Sequence, residues 1–264
     1  TVSNFGVISA MNHIADASIL LPTITTPGTA IDTGAGNDRV ILGAASHTTG
    51  DILLGEGDDI LAFLGSAIIN GDIDLGYGND TLMFDGSGTL GYDFTGFDNA
   101  IKQGEGTFFL ASLPTMQRLE VTRGTLALGS NYAMSPGSIY RTVVHGDGSH
   151  GQLDVQGTVV LDGNLAVSKG RGLFVNGTTY DIIVADAVEN AFTDVTLPNA
   201  AWLVRFSVQQ DDERVRIRTR VNPFVAAATD PLGYAVAEYL DRIQQQASGD
   251  FLGMLSQIQD FESL

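Results

Sequence analysis

Three consecutive blocks of equal length align without a gap, at 31–51, 52–72 and 73–93, and nothing else in the chain constrains its fold as strongly. Gly34, Gly55 and Gly76 fall in one column and Gly36, Gly57 and Gly78 in another. Asp38, Asp59 and Asp80 form a third, and Asp51, Asp72 and Asp93 close each block. The apolar columns are Ile31/Ile52/Ile73, Val40/Leu61/Leu82 and Leu42/Phe63/Phe84. Within a block, short runs of alternating apolar residues are split by Gly-rich turns, which is strand-and-turn patterning. One block cannot bury its own apolar face, but blocks stacked at the strand spacing of about 4.8 Å place like residues over like. A block of this length suits three short strands and three turns. The prediction is an all-β chain, a right-handed parallel β-helix of about 21 residues per coil, with a short C-terminal α-helical segment.

Beyond Asp93 the repeat loosens but the texture persists. Alternating runs recur at Phe108–Leu110, Leu119–Val121, Thr125–Leu128, Leu153–Val155, Val159–Leu161, Leu165–Val167, Tyr180–Val184 and Val215–Val221. Residues 31–221 would then make about nine coils, a rod of roughly 40 Å. The texture changes at Asn222-Pro223. Asp230 followed by Pro231 is a helix start, with Leu232, Val236, Tyr239, Leu240 and Ile243 at helical spacing. Asp250 would cap a second helix carrying Leu252, Leu255, Ile258 and Phe261 on one face, and the pair would cover the open end of the core. The divisions expected are 1–96 (repeat coils), 97–221 (later coils) and 222–264 (helical junction). Tyr180, Phe192, Trp202 and Phe206 supply bulk near the C-terminal end and are the expected folding nucleus.

Charge is lopsided. Thirteen basic against 31 acidic residues give −18, and residues 1–117 hold only Arg39 and Lys102 as cations. Such a surface repels phosphate, so nucleic acid is an unsuitable partner. The absence of Cys excludes a disulfide scaffold and a Cys-ligated zinc site. The GxGxD turns at 34–38, 55–59 and 76–80 resemble RTX calcium repeats, which makes Asp38, Asp59, Asp80, Asp51, Asp72 and Asp93 the calcium candidates; calcium is the one cofactor considered. The unit here is more than twice the length of the RTX nonapeptide and carries a single GxGxD, so the alternative is that these carboxylates accept turn N–H groups. No catalytic residue is expected: the four His lack metal-ligand spacing, and Asp147, Ser149 and His150 in GDGSHG read as a polar loop. Arg214, Arg216, Arg218 and Arg220 alternate with Val215, Ile217, Thr219 and Val221, which sets four guanidinium groups on one strand face. They would either contact an anionic glycan or lipopolysaccharide, or pair with nearby acids.

From about residue 31 onward the motifs resemble, in order, the C-terminal part of an autotransporter passenger of type V secretion. They are GEGDDIL and GYGNDTLMF, FDNAIKQGEGTFFL (97–110), LEVTRGTLAL (119–128), GQLDVQGTVVLDGNLAV (151–167) with NGTTYDIIVADAVENAFTDV (176–195), and NPFVAAATDPLGYAVAEYLDRI (222–243). Asp98 stands for the family's Glu and Phe108 for its Trp. The resemblance implies a non-catalytic stalk with an autochaperone region, secreted or displayed on the surface of a Gram-negative bacterium. It also implies a translocator barrel in the same polypeptide as partner, with a host receptor, a glycan or self-association as further ones. The chain opens on Thr1 in mid-pattern and reads as a piece of something longer, so a secreted enzyme whose catalytic part lies upstream is a further alternative.

Overall fold

The computed structural model describes residues 1–4, 6–9, 28–91, 93–198, 203–244 and 249–260. The chain is mostly β, built from parallel sheets, and is compatible with a β-helix. One sheet has nine parallel strands in spatial order Val2–Asn4, Arg39–Gly43, Ile60–Leu64, Thr81–Asp85, Asn99–Gln103, Arg118–Val121, Ile139–Val144, Asn164–Lys169 and Asp194–Thr196. A second runs Gly88–Leu90, Thr107–Leu110, Gly124–Leu128, Gly151–Leu161, Thr179–Asn190, Arg214–Val221, Val204–Gln210. Two three-stranded parallel sheets complete the repeat region, one of them pairing Thr29–Asp32, Asp51–Leu53 and Ile73–Asp74.

Registers follow the sequence columns. Val40 pairs with Leu61 and Leu61 with Leu82, each one repeat further on, and Ile52 pairs with Ile73. The column continues through Ala100, Leu119, Tyr140 and Leu165, every member buried. Each Val or Leu of the column removed from water contributes about 1.5–3 kcal/mol. Phe63 stacks on Phe84 at 5.8 Å between centroids, and Phe84 meets Phe108 at 5.0 Å. Past the repeats the spacing departs from that of the blocks: Thr81 pairs with Asn99, Ile139 with Asn164, and Asn164 with Asp194. The change in length enters at the turns, where it does not disturb the ladder.

Not every strand is parallel. Arg214–Val221 runs antiparallel to Thr179–Asn190 and to Val204–Gln210. This corrects the expectation that each strand lies parallel between neighbours. Helix α1 (Pro231–Ile243) starts as expected, the Asp230 carboxylate accepting the Gly233 N–H at 2.8 Å. Its buried face differs: Ala237 is buried while Leu232, Val236 and Tyr239 are exposed. Helix α2 (Gly249–Asp260) begins one residue before Asp250, which lies in its first turn and is not its cap. Its buried members are Leu255 and Gln259, with Leu252 partly exposed; Phe261 lies outside the described residues. Gln259 Oε1 accepts the Phe174 N–H at 2.8 Å and its Nε2 donates to Phe174 O at 3.0 Å, which ties α2 to the end of the core.

Candidate functional site

The Asp38/Asp59/Asp80 column is a chain of caps. The Asp38 N–H donates to Asp59 Oδ1 at 2.7 Å, the Asp59 N–H to Asp80 Oδ1 at 2.7 Å, and the Asp80 N–H to Asp98 Oδ2 at 3.2 Å. Gln117 Nε2 then donates to Asp98 Oδ1. Each turn presents a backbone N–H that no sheet ladder can take, and the next carboxylate supplies the acceptor. Asp59 and Asp80 are fully buried. Their Oδ2 atoms meet no donor among the described residues. Burial, reinforced by the carboxylates of Asp59, Asp98 and Asp58, pushes the Asp80 carboxyl above its ordinary value.

Beside this column runs a second ladder that the sequence reading misses. The Asp58 N–H donates to Asn37 Oδ1 and the Asn79 N–H to Asp58 Oδ1, both at 3.0 Å. A signal for it exists: the residue before each column Asp is Asn37, Asp58 or Asn79, all short side chains with an acceptor oxygen. In the other Asp column the Asp72 N–H donates to Asp51 Oδ1, and Asp93 is exposed and accepts from Ser112 Oγ.

Calcium takes six to eight oxygens around one point. Among the described residues no three His, Cys, Asp or Glu side chains converge in that way, and the Oδ1 atoms of Asp59 and Asp80 already hold turn amides.

Removing the Asp80 carboxylate separates capping from charge. Asp80→Ala leaves the buried Asp59 N–H without an acceptor and is expected to cost about 1–3 kcal/mol. Asp80→Asn keeps an acceptor oxygen and removes the charge, so it is expected to be at least as stable as the parent at pH 7. The raised carboxyl means that the folded chain binds this proton more readily than the unfolded one. The Asp80 contribution to stability therefore grows as pH falls through the raised value towards about 3.9. Melting temperatures of parent and Asp80→Asn between pH 7 and pH 4 check this: the gap between them closes as pH falls.

Among the described residues Lys102 is the buried cation. It occupies the core column between Phe84 and Val121, fully buried. Its ammonium donates to Gln103 O and Gly104 O at 2.7 Å and to Arg123 O at 3.2 Å. Burial lowers its pKa, against the pull of Asp85 and Glu105. Nothing in its spacing marks Lys102 as different from a solvated cation.

The GDGSHG loop does not assemble a Ser–His pair. Ser149 Oγ donates to Asp147 Oδ1 at 2.6 Å and accepts from Arg123 at 2.8 Å. Both ring nitrogens of His150 face backbone oxygens, those of Gly148 and Asp181.

The four strand arginines share a face, as the alternation predicts, but divide into two pairs. Arg214 and Arg216 both reach Asp181, at 2.9 and 2.8 Å, and Arg216 also reaches Asp211. Arg218 and Arg220 are exposed and make no ion pair among the described residues. Register adds a fifth arginine: Arg205 lies directly opposite Arg220.

Of the expected nucleus, Tyr180 is buried and donates to His145 O at 2.8 Å, and Phe206 packs edge-on to Phe174 at 5.4 Å. Phe192 is half-buried against the core, and Trp202 lies outside the described residues. Among known proteins, the chain matches no family model, and a search of curated proteins finds no match.

Proposed function

We propose that the chain is a right-handed parallel β-helix with coils of about 21 residues in its first part, serving as the non-catalytic stalk of a secreted or surface-displayed bacterial passenger. The observation that carries the reading is the unbroken parallel column from Val40 to Leu165, beside a second sheet that ends in an antiparallel hairpin and is followed in the chain by two helices. A long core built from nearest-neighbour contacts makes a stiff spacer and suits stepwise folding. The ordered run of motifs that resembles an autotransporter passenger supplies the biological setting, including a translocator barrel in the same polypeptide. The buried, hydrogen-bonded closure around Tyr180, Phe174 and Gln259 supports residues 97–221 as the part that folds first.

The test is export. Joined upstream of a translocator barrel in a Gram-negative host, the chain is expected to reach the cell surface in protease-resistant form. Without 1–30 it should still do so, whereas without 151–221 it should stall. Equal export of both deletions overturns the reading.

A further inference from the structure

We propose that Arg205, Arg218 and Arg220 form a binding seat for a sulfated linear polysaccharide. This goes beyond the stalk reading and does not depend on it. In the antiparallel pair, Arg205 stands opposite Arg220, and Arg218 stands opposite Ser207 on one side and Thr179 on the other. Directly opposed residues have Cα atoms about 4.5–5.5 Å apart, and two steps along a strand cover about 6.8 Å. Three guanidinium groups therefore project from one small triangle of sheet. All three residues are exposed, and among the described residues none makes an ion pair.

That is an unusual arrangement for this chain. It carries 31 acids against 13 bases, yet the acids that form ion pairs with these arginines lie at the other end of the strand. Asp181 holds Arg214 and Arg216, and Asp211 holds Arg216. Like charges set directly opposite on neighbouring strands are unfavourable. An external oxyanion bridging Arg205 and Arg220 would relieve the repulsion, and guanidinium groups accept such oxyanions bidentately.

The surroundings favour a polysaccharide over a lipid surface. The outward neighbours are Ser207, Gln209 and Thr179, which offer hydroxyl and amide groups for sugar hydroxyls. Among the described residues no aromatic or long aliphatic side chain stands among these outward neighbours to enter a bilayer interface, which membrane-surface binding requires beside its cations. The net charge of −18 repels an extended anionic membrane, while a single flexible chain can touch the triangle within a Debye length of about 8–10 Å.

Heparin oligosaccharide is the probe, titrated calorimetrically at low salt. The parent is expected to bind with an affinity that falls as salt rises. Arg205→Gln/Arg218→Gln/Arg220→Gln should weaken binding about tenfold or more, the loss of roughly one well-made charged contact. It should fold normally, with a melting temperature equal to or above the parent's, because it removes a repulsion. Arg214→Gln/Arg216→Gln should keep the affinity and lower the melting temperature. Absence of binding by the parent, or equal binding by the triple variant, overturns the seat. Binding to phosphatidylglycerol vesicles or duplex DNA as tight as to heparin overturns the choice of polysaccharide.

Discussion

Gly55→Ala is expected to destabilise the chain by about 3 kcal/mol or more, whereas Gly34→Ala, one repeat earlier, should cost only about 1–2 kcal/mol. Both glycines have positive φ, +105° at Gly55 and +81° at Gly34, so both substitutions carry backbone strain. They differ in what stands over them. A Cβ on Gly55 would lie 1.9 Å from the Gly34 carbonyl oxygen, while a Cβ on Gly34 meets nothing within 4 Å. That oxygen accepts the Glu56 N–H at 2.9 Å, so it cannot move aside without breaking a bond between repeats. Urea unfolding of the two variants checks the difference. Equal losses would mean that strain alone matters and that close stacking of the glycine turns does not.

Lys102→Ala should cost about 3–5 kcal/mol, since it leaves a cavity beside Phe84 and strips a donor from three carbonyls. Lys102→Met isolates the second effect. It fills the space and removes a buried charge, which by itself can be neutral or favourable. Gln103 O has another donor in the Gly86 N–H, so Gly104 O and Arg123 O bear the loss. The expected cost is about 1–3 kcal/mol. A Met variant as stable as the parent would show that desolvating the ammonium offsets all three of its bonds.

Much of this architecture is legible in the sequence because repetition exposes register. The one-repeat offset of Leu61 on Val40 and of Leu82 on Leu61 shows as a match of residue type. So do the strands around Leu119, Leu126 and Leu165, where alternation is clean. Ile139–Val144 escapes such a reading because Arg141 and Thr142 interrupt its apolar run, although Tyr140 and Val144 are buried. The antiparallel end is hidden for a different reason: alternation in Arg214–Val221 gives the face of each residue but not the direction of its neighbours. Arg205 stays out of view for the same cause, being distant from Arg220 in sequence and opposite it in space. Helix α1 shows the limit of spacing arguments. Its small Ala237 is buried while the large Leu232 and Val236 face out, and the element it packs against is the short turn at Phe224–Ala227.

The Asp caps have a polarity. Asp59 completes the turn at Asp38, Asp80 the turn at Asp59, and Asp98 the turn at Asp80, each finished by the layer that follows, whereas Asn37 completes the turn at Asp58, Asp58 the turn at Asn79 and Asp51 the turn at Asp72, each finished by the layer before. Trimming from the front takes the acceptor from a turn N–H such as that of Asp58 or Asp72. Trimming from the back bares a main-chain group in what remains. The two sets of caps point opposite ways, so neighbouring layers are clasped from both sides and the stack is interlocked by its turns.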